Sequence, residues 1–172
     1  MPVTPAVASR AAVALILRDG ERGIELLFIR RADHPQDPWS GQMAFPGGRV
    51  EPGDADLIAT AKRETDEEIG LDLGQAGELI GALDEVRAMA RMRPLELSIQ
   101  PFVFRLLTAS ELRLSGEVRS VHWLPLAALL GAELRSTMDY HEGGQSLQFP
   151  CVRLDEIVIW GLTYRMLIAL GE

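Results

Sequence analysis

The chain has 172 residues, enough for one domain with a real core, and its 47% hydrophobic and 24% charged residues are an ordinary globular mixture. A formal net charge of −8 argues against general affinity for DNA or RNA. No apolar run approaches the roughly 18 residues that span a bilayer. The single cysteine, Cys151, allows no internal disulfide and gives no sign of an oxidising compartment, so a cytoplasmic location is expected.

Residues 11–17 follow Arg10 in the manner of a signal peptide. Arg18-Asp19-Gly20 stands where a small-residue cleavage site belongs, so a buried strand is expected instead. Residues 12–17 and 25–29 are apolar runs around a glycine-bearing loop and predict a β-hairpin. A polar loop over 31–42 carries two prolines and ends at Trp39-Ser40-Gly41. A brief strand at 43–45 then runs into Pro46-Gly47-Gly48.

The strongest predicted helix covers 56–69. Asp54 or Asp56 can cap its start, and Gly70 suits a left-handed end. Strands are expected at 79–86, 95–107 and 118–123, with a loop over 86–94 at the sheet edge. A short helix at 125–130 precedes a polar excursion over 132–146. Strands at 147–152 and 157–160 and a closing helix at 162–170 complete the chain. Strands of mixed type with helices on both faces predict a single α/β domain over 1–172, an α/β/α sandwich with a mixed β-sheet.

At about 100° per residue, Ile58, Thr65 and Ile69 share one face of the predicted helix with Ala61 beside them, the side that should meet the sheet. Glu64, Glu67 and Glu68 fall within about a 100° arc of the adjoining face. They repel one another, and a helix C-terminus disfavours each nearby acid by roughly 0.3–1 kcal/mol. A divalent cation held by hard carboxylate oxygens would turn these penalties into attraction. An exposed acidic face with no role is the other reading of such a run.

The stretch from Gly48 to Leu71 resembles the Nudix box, a glycine loop and a helix ending Arg-Glu, two residues, Glu-Glu, one residue, Gly and an apolar residue. Arg63-Glu64, Glu67-Glu68 and Gly70-Leu71 match every fixed position of the second half. The first half departs: Ala55 stands where the box has a glutamate, and one extra residue lies between Gly48 and Arg63. Asp54 or Asp56 is the candidate substitute. Gly41-Gln42-Met43-Ala44-Phe45-Pro46-Gly47-Gly48, Glu117-Val118, Trp123-Leu124-Pro125-Leu126 and Trp160-Gly161-Leu162-Thr163 look like the coenzyme A pyrophosphatase branch, which shares both departures. That branch has an Arg-any-His pair where this chain has Asp37 and Trp39. An acid there would repel a phosphate. Trp39 offers a surface for stacking a base, or equally an anchor for its loop.

The resemblance implies a hydrolase that cleaves the diphosphate linkage of a small nucleotide-like molecule, coenzyme A being one candidate. In it Glu64, Glu67 and Glu68 hold magnesium, with manganese as a substitute. Arg63 fixes a glutamate, and the Gly47 carbonyl completes the coordination. Oxygen ligands favour magnesium over zinc, since His34, His122 and His141 show no metal-ligand spacing. Glu64 and Glu117 are the candidate bases for an attacking water, and Arg49, Arg87, Arg91 and Arg93 the candidate anion binders. A homodimer is compatible with the resemblance. A Nudix-fold module that binds a nucleotide without cutting it is the rival reading, although such modules usually lose a box glutamate and all three are present here.

Overall fold

In the computed structural model, residues 9–90 and 93–172 are described. Side-chain alternation along two central strands decides where the core sits. In β1 (Ser9–Gly20), Ala12, Ala14 and Ile16 join one buried cluster while Ala11 and Leu15 join another. In β7 (Arg93–Leu106), Phe102 and Phe104 face the first cluster and Leu97, Ile99 and Val103 the second. Both faces of these strands are covered, which is why they read as nearly continuous apolar runs. They pair in parallel from Ser9↔Leu97 to Leu17↔Arg105 at the centre of an eight-stranded mixed sheet.

One face carries α1 (Leu57–Ile69) and α2 (Leu73–Ala76), which bury Ala61, Ile69, Leu73 and Ala76. The other carries α3 (Leu126–Leu130) and α4 (Gly161–Leu170), which bury Leu129, Met166 and Leu167. The expected α/β/α sandwich is therefore present. A second sheet lies on the α4 side, formed by β9 (Arg135–Glu142), β10 (Gln145–Leu154) and β11 (Ile157–Trp160) in antiparallel pairing. No helix among the described residues is long and apolar enough to cross a membrane.

The functional region comes from a split in the main sheet. β1 pairs with β2 (Gly23–Arg31) only from Leu17↔Leu26 to Gly20↔Gly23. Beyond that the strands part, and residues 43–49 fill the gap. β3 (Met43–Ala44) pairs with β2 through Ile29↔Ala44, and β4 (Gly47–Arg49) pairs with β1 through Val13↔Gly47 and Ala11↔Arg49. Ala14 N donates to the Pro46 carbonyl at 2.8 Å, closing the crossing between them. Phe45 is the plug: it is buried, with its ring 4.9 Å from that of Phe28. Burial of such a side chain stabilises by roughly 1.5–3 kcal/mol.

Three expectations need correction. Residues 86–94 are not simply a loop, because β6 (Val86–Ala90) pairs with β7. Its buried Ala88 alternates with exposed Arg87 and Met89, a period-two pattern too short to stand out. The polar excursion over 132–146 is instead mostly a hairpin arm, β9. Gly143 and Gly144, at φ of 58° and 77°, turn it into β10, as a two-residue turn requires. Third, the strand expected over 79–86 starts and ends earlier, as β5 (Gly77–Ala82), which follows directly on α2 and pairs with β7. The remaining edge strand, β8 (Val118–Pro125), pairs with β2 and extends slightly beyond its expected range.

Candidate functional site

α1 brings the box glutamates to the split. Its start is capped by Asp56, whose Oδ1 accepts from Ala59 N at 2.7 Å, and its end by Gly70 at φ 68°. The spacing of Ala61, Thr65, Glu68 and Ile69 places all four on the buried side of the helix. Glu68 is therefore a carboxylate inside the core margin, 4% exposed, and its Oε1 accepts from Gly47 N at 2.8 Å. Burial pushes its pKa up to about 7; the Gly47 N–H opposes this, while the charges of Glu64 and Glu117 add to it. Burial likewise raises the Glu64 carboxyl, against the hydrogen bond and charge of Arg63, with Glu67 and Glu117 pushing the same way as burial.

Gly48 lies under Glu64. A Cβ on Gly48 would fall 2.5 Å from the Glu64 carboxyl carbon and 2.6 Å from Oε1. The second glycine of the pair is thus the space that the carboxylate occupies. Gly47 is equally confined, by Ala12 and Val13 of the neighbouring strand.

Arg63 ties the helix to the loop before it. Its Nε and Nη2 donate to Asp54 Oδ1 and Oδ2, Nη1 donates to Glu64 Oε1 at 3.0 Å and to Glu67 Oε2 at 3.2 Å, and Nη2 also reaches the Arg49 carbonyl. Asp54 further accepts from Glu51 N and Thr60 Oγ1; the Arg63 guanidinium above all, then these bonds, hold its carboxyl well below the usual range. The two candidate substitutes for the missing box glutamate have therefore separated: Asp54 partners Arg63, and Asp56 caps the helix.

Glu64, Glu68, Glu117, Gly47, Gly48, Arg49 and Trp39 all line one cleft of about 280 Å³, together with Arg31 and, from α4, Leu162, Thr163 and Met166. Thr163 is fixed there by donating to the Met43 carbonyl at 3.0 Å. Glu67 does not line this cleft; it is exposed and held by Arg63. Among the described residues no three His, Cys, Asp or Glu side chains are already spaced to share an ion. The donor set nevertheless fits a hard cation. A buried carboxylate, Glu68, and a partly buried one, Glu64, face one cleft with pKa values raised by burial and by neighbouring carboxylates, and every donor is oxygen.

The other arginines are dispersed. Arg87 lies outside the cleft, with Nε donating to the Leu95 carbonyl and a guanidinium nitrogen 3.8 Å from Glu96. Arg91 and the side chain of Arg93 lie outside the described residues. Arg49 does line the cleft, and so does a second cation, Arg31, which was not anticipated. Asp37 accepts from Arg31 Nε at 2.7 Å and from Trp39 N at 3.0 Å. It is neutralised and positions both neighbours, so it is not the free phosphate-repelling acid expected from its type. The nearness of Arg31 to Asp37 in sequence was the available signal. The α4 contribution carried none, because it depends on a long-range contact.

Comparison with known proteins agrees with this architecture. An uncharacterised protein of Schizosaccharomyces pombe is 43% identical over 115 residues, 64% of this chain but only 35% of that protein. The uncharacterised Nudix hydrolase NudL of Yersinia enterocolitica is 30% identical over 154 residues, 86% of this chain and 72% of its own length. Among solved structures, the Caenorhabditis elegans Ap4A hydrolase binary complex matches with a TM-score of 0.57 and 25% identity, covering 69% of this chain and 81% of that one. The model of the NUDIX domain matches residues 8–142, and the chain accordingly belongs to the Nudix hydrolase family, whose reaction is the cleavage of pyrophosphate bonds.

Proposed function

We propose that the chain is a magnesium-dependent pyrophosphohydrolase that cleaves the diphosphate linkage of a nucleoside diphosphate derivative, with coenzyme A one candidate. The reading rests on Glu68, buried, and Glu64, partly buried, two carboxylates of raised pKa that face one cleft. Glu64, Glu67 and Glu68 would hold magnesium, or manganese in its place, beside the Gly47 backbone. When bound, the ion would neutralise charge on the phosphate oxygens and lower the pKa of a bound water.

The chain's own groups account for the remainder. Arg63 fixes Glu64 and Glu67, and the Gly47 N–H orients Glu68. Glu64 is the preferred base for the attacking water, because its burial raises its proton affinity toward that of a working base. Glu117 is the alternative, at the exposed rim of the same cleft. Arg31 and Arg49 supply positive charge to a diphosphate in the cleft, offsetting the acidity of the whole chain.

The test is a screen with product masses. Coenzyme A, nucleotide sugars, ADP-ribose and Ap4A (the compound named for the nematode relative) are incubated with magnesium and the wild-type protein, Glu67→Gln or Glu68→Gln. The expected result is cleavage by wild type and near-complete loss in both folded variants. Wild-type turnover in either variant would overturn the ligand assignment.

A further inference from the structure

A second cavity, of about 240 Å³, opens beside the cleft. Its wall is unusually aromatic: Trp39, Tyr140, Phe149, Trp160 and Tyr164, with Arg165 at the rim. The two cavities share Trp39, Gln42 and Leu162, so one elongated molecule has a continuous path between them.

Three of these rings come from three strands of the second sheet and pack together. Ring centroids are 5.3 Å apart for Tyr140 and Trp160, 5.7 Å for Phe149 and Trp160, and 6.0 Å for Tyr140 and Phe149. Trp39 comes from the loop after β2 and is held by donation from Nε1 to the Met89 carbonyl at 3.2 Å. All five rings are only partly buried. Large aromatic side chains grouped at a cavity, with area still open, favour a bound flat group over a purely internal packing role.

We propose that this aromatic chamber binds the planar nucleobase of the substrate by stacking, which places the diphosphate in the adjoining cleft. The inference rests on the diphosphate reading of that cleft. Stacking tolerates any base because every base has a π-face, and removing one stacking ring typically weakens binding by about 5- to 150-fold. Arg165, exposed and without an ion pair among the described residues, suits an anionic group carried near the base. A flexible acyl chain would gain only non-directional apolar burial there, since it has no π-face to stack.

The experiment uses AMP as probe, without metal, and reads intrinsic fluorescence, since Trp39 and Trp160 line the chamber. AMP should quench the wild-type protein, whereas ribose 5-phosphate and octanoate should not. Tyr140→Leu and Phe149→Leu keep both reporters and should raise the Kd for AMP by about 5- to 150-fold, while Tyr140→Phe retains binding. Saturation-transfer NMR on the wild-type protein needs no variant, and the base protons should receive more magnetisation than the ribose protons. Equal AMP affinity in both leucine variants, equal binding of ribose 5-phosphate, displacement of AMP by octanoate, or stronger transfer to the ribose would each overturn the proposal. Base binding without diphosphate cleavage would sink the hydrolytic reading and leave the chamber standing. Cleavage without base binding would do the reverse.

Discussion

Arg63 meets Asp54 through two parallel hydrogen bonds, Nε to Oδ1 at 2.8 Å and Nη2 to Oδ2 at 2.9 Å. This fork holds the guanidinium so that its remaining nitrogen, Nη1, reaches Glu64 and Glu67. Asp54 therefore acts on the site through Arg63 and is a positioning residue. Asp54→Ala should weaken the magnesium dependence of turnover by about 10- to 100-fold, as loss of such a supporting partner typically does. Asp54→Asn, which keeps one acceptor oxygen, should lose less. Magnesium titrations of activity in the three proteins check this, and identical curves would remove Asp54 from the network.

The Glu64 carboxylate occupies the place of a Gly48 side chain. Gly48→Ala should consequently displace Glu64 and reduce kcat strongly with only a modest fall in Tm, since no positive φ is required there. Thermal melts and steady-state rates on one preparation separate the effects. A fully active alanine variant would show that the Glu64 position has no bearing on the chemistry.

How much of this was legible depended on the range of the interactions. α1 was readable because its caps, Asp56 and Gly70, and its i,i+4 stripe are local features. The need for a substitute at Ala55 was also visible, but Asp54 and Asp56 could be told apart only by where Arg63 turned. β9 was hidden because most of its side chains are exposed and its pairing with β10 supplies the order. The arginines at 87–93 looked like a cluster in one dimension, yet β6 directs Arg87 toward Glu96. The aromatic chamber joins residues from 38 to 165, a separation that no short motif spans.

Asp37 offers a direct contrast between its residue type and its setting. By type it would repel a phosphate; in place it holds Arg31 and the Trp39 backbone. Asp37→Ala should therefore raise KM, on the order of tenfold for loss of one charge-assisted hydrogen bond, with kcat little changed. A fall in KM would mean that repulsion had been the stronger effect.

Glu25 gives a pH dependence of stability that is independent of the cleft. Burial opposes its ionisation, but hydrogen bonds and charges from Arg22 and Arg18, at 2.9 and 3.0 Å, outweigh this and hold its carboxyl below the ordinary value of 4.5. The site is closely fitted, with the Gly20 backbone so near that a side chain there would overlap the carboxylate. Because the folded pKa is depressed, the unfolded chain binds more protons in the window below 4.5. The stabilising contribution is complete above that value and is lost as pH falls through the folded pKa. Urea midpoints between pH 7 and pH 3 should decline less steeply for Glu25→Gln than for wild type, although the variant starts lower at pH 7 with Arg18 and Arg22 unpaired. Parallel declines would show that the two arginines do not depress the Glu25 pKa in solution.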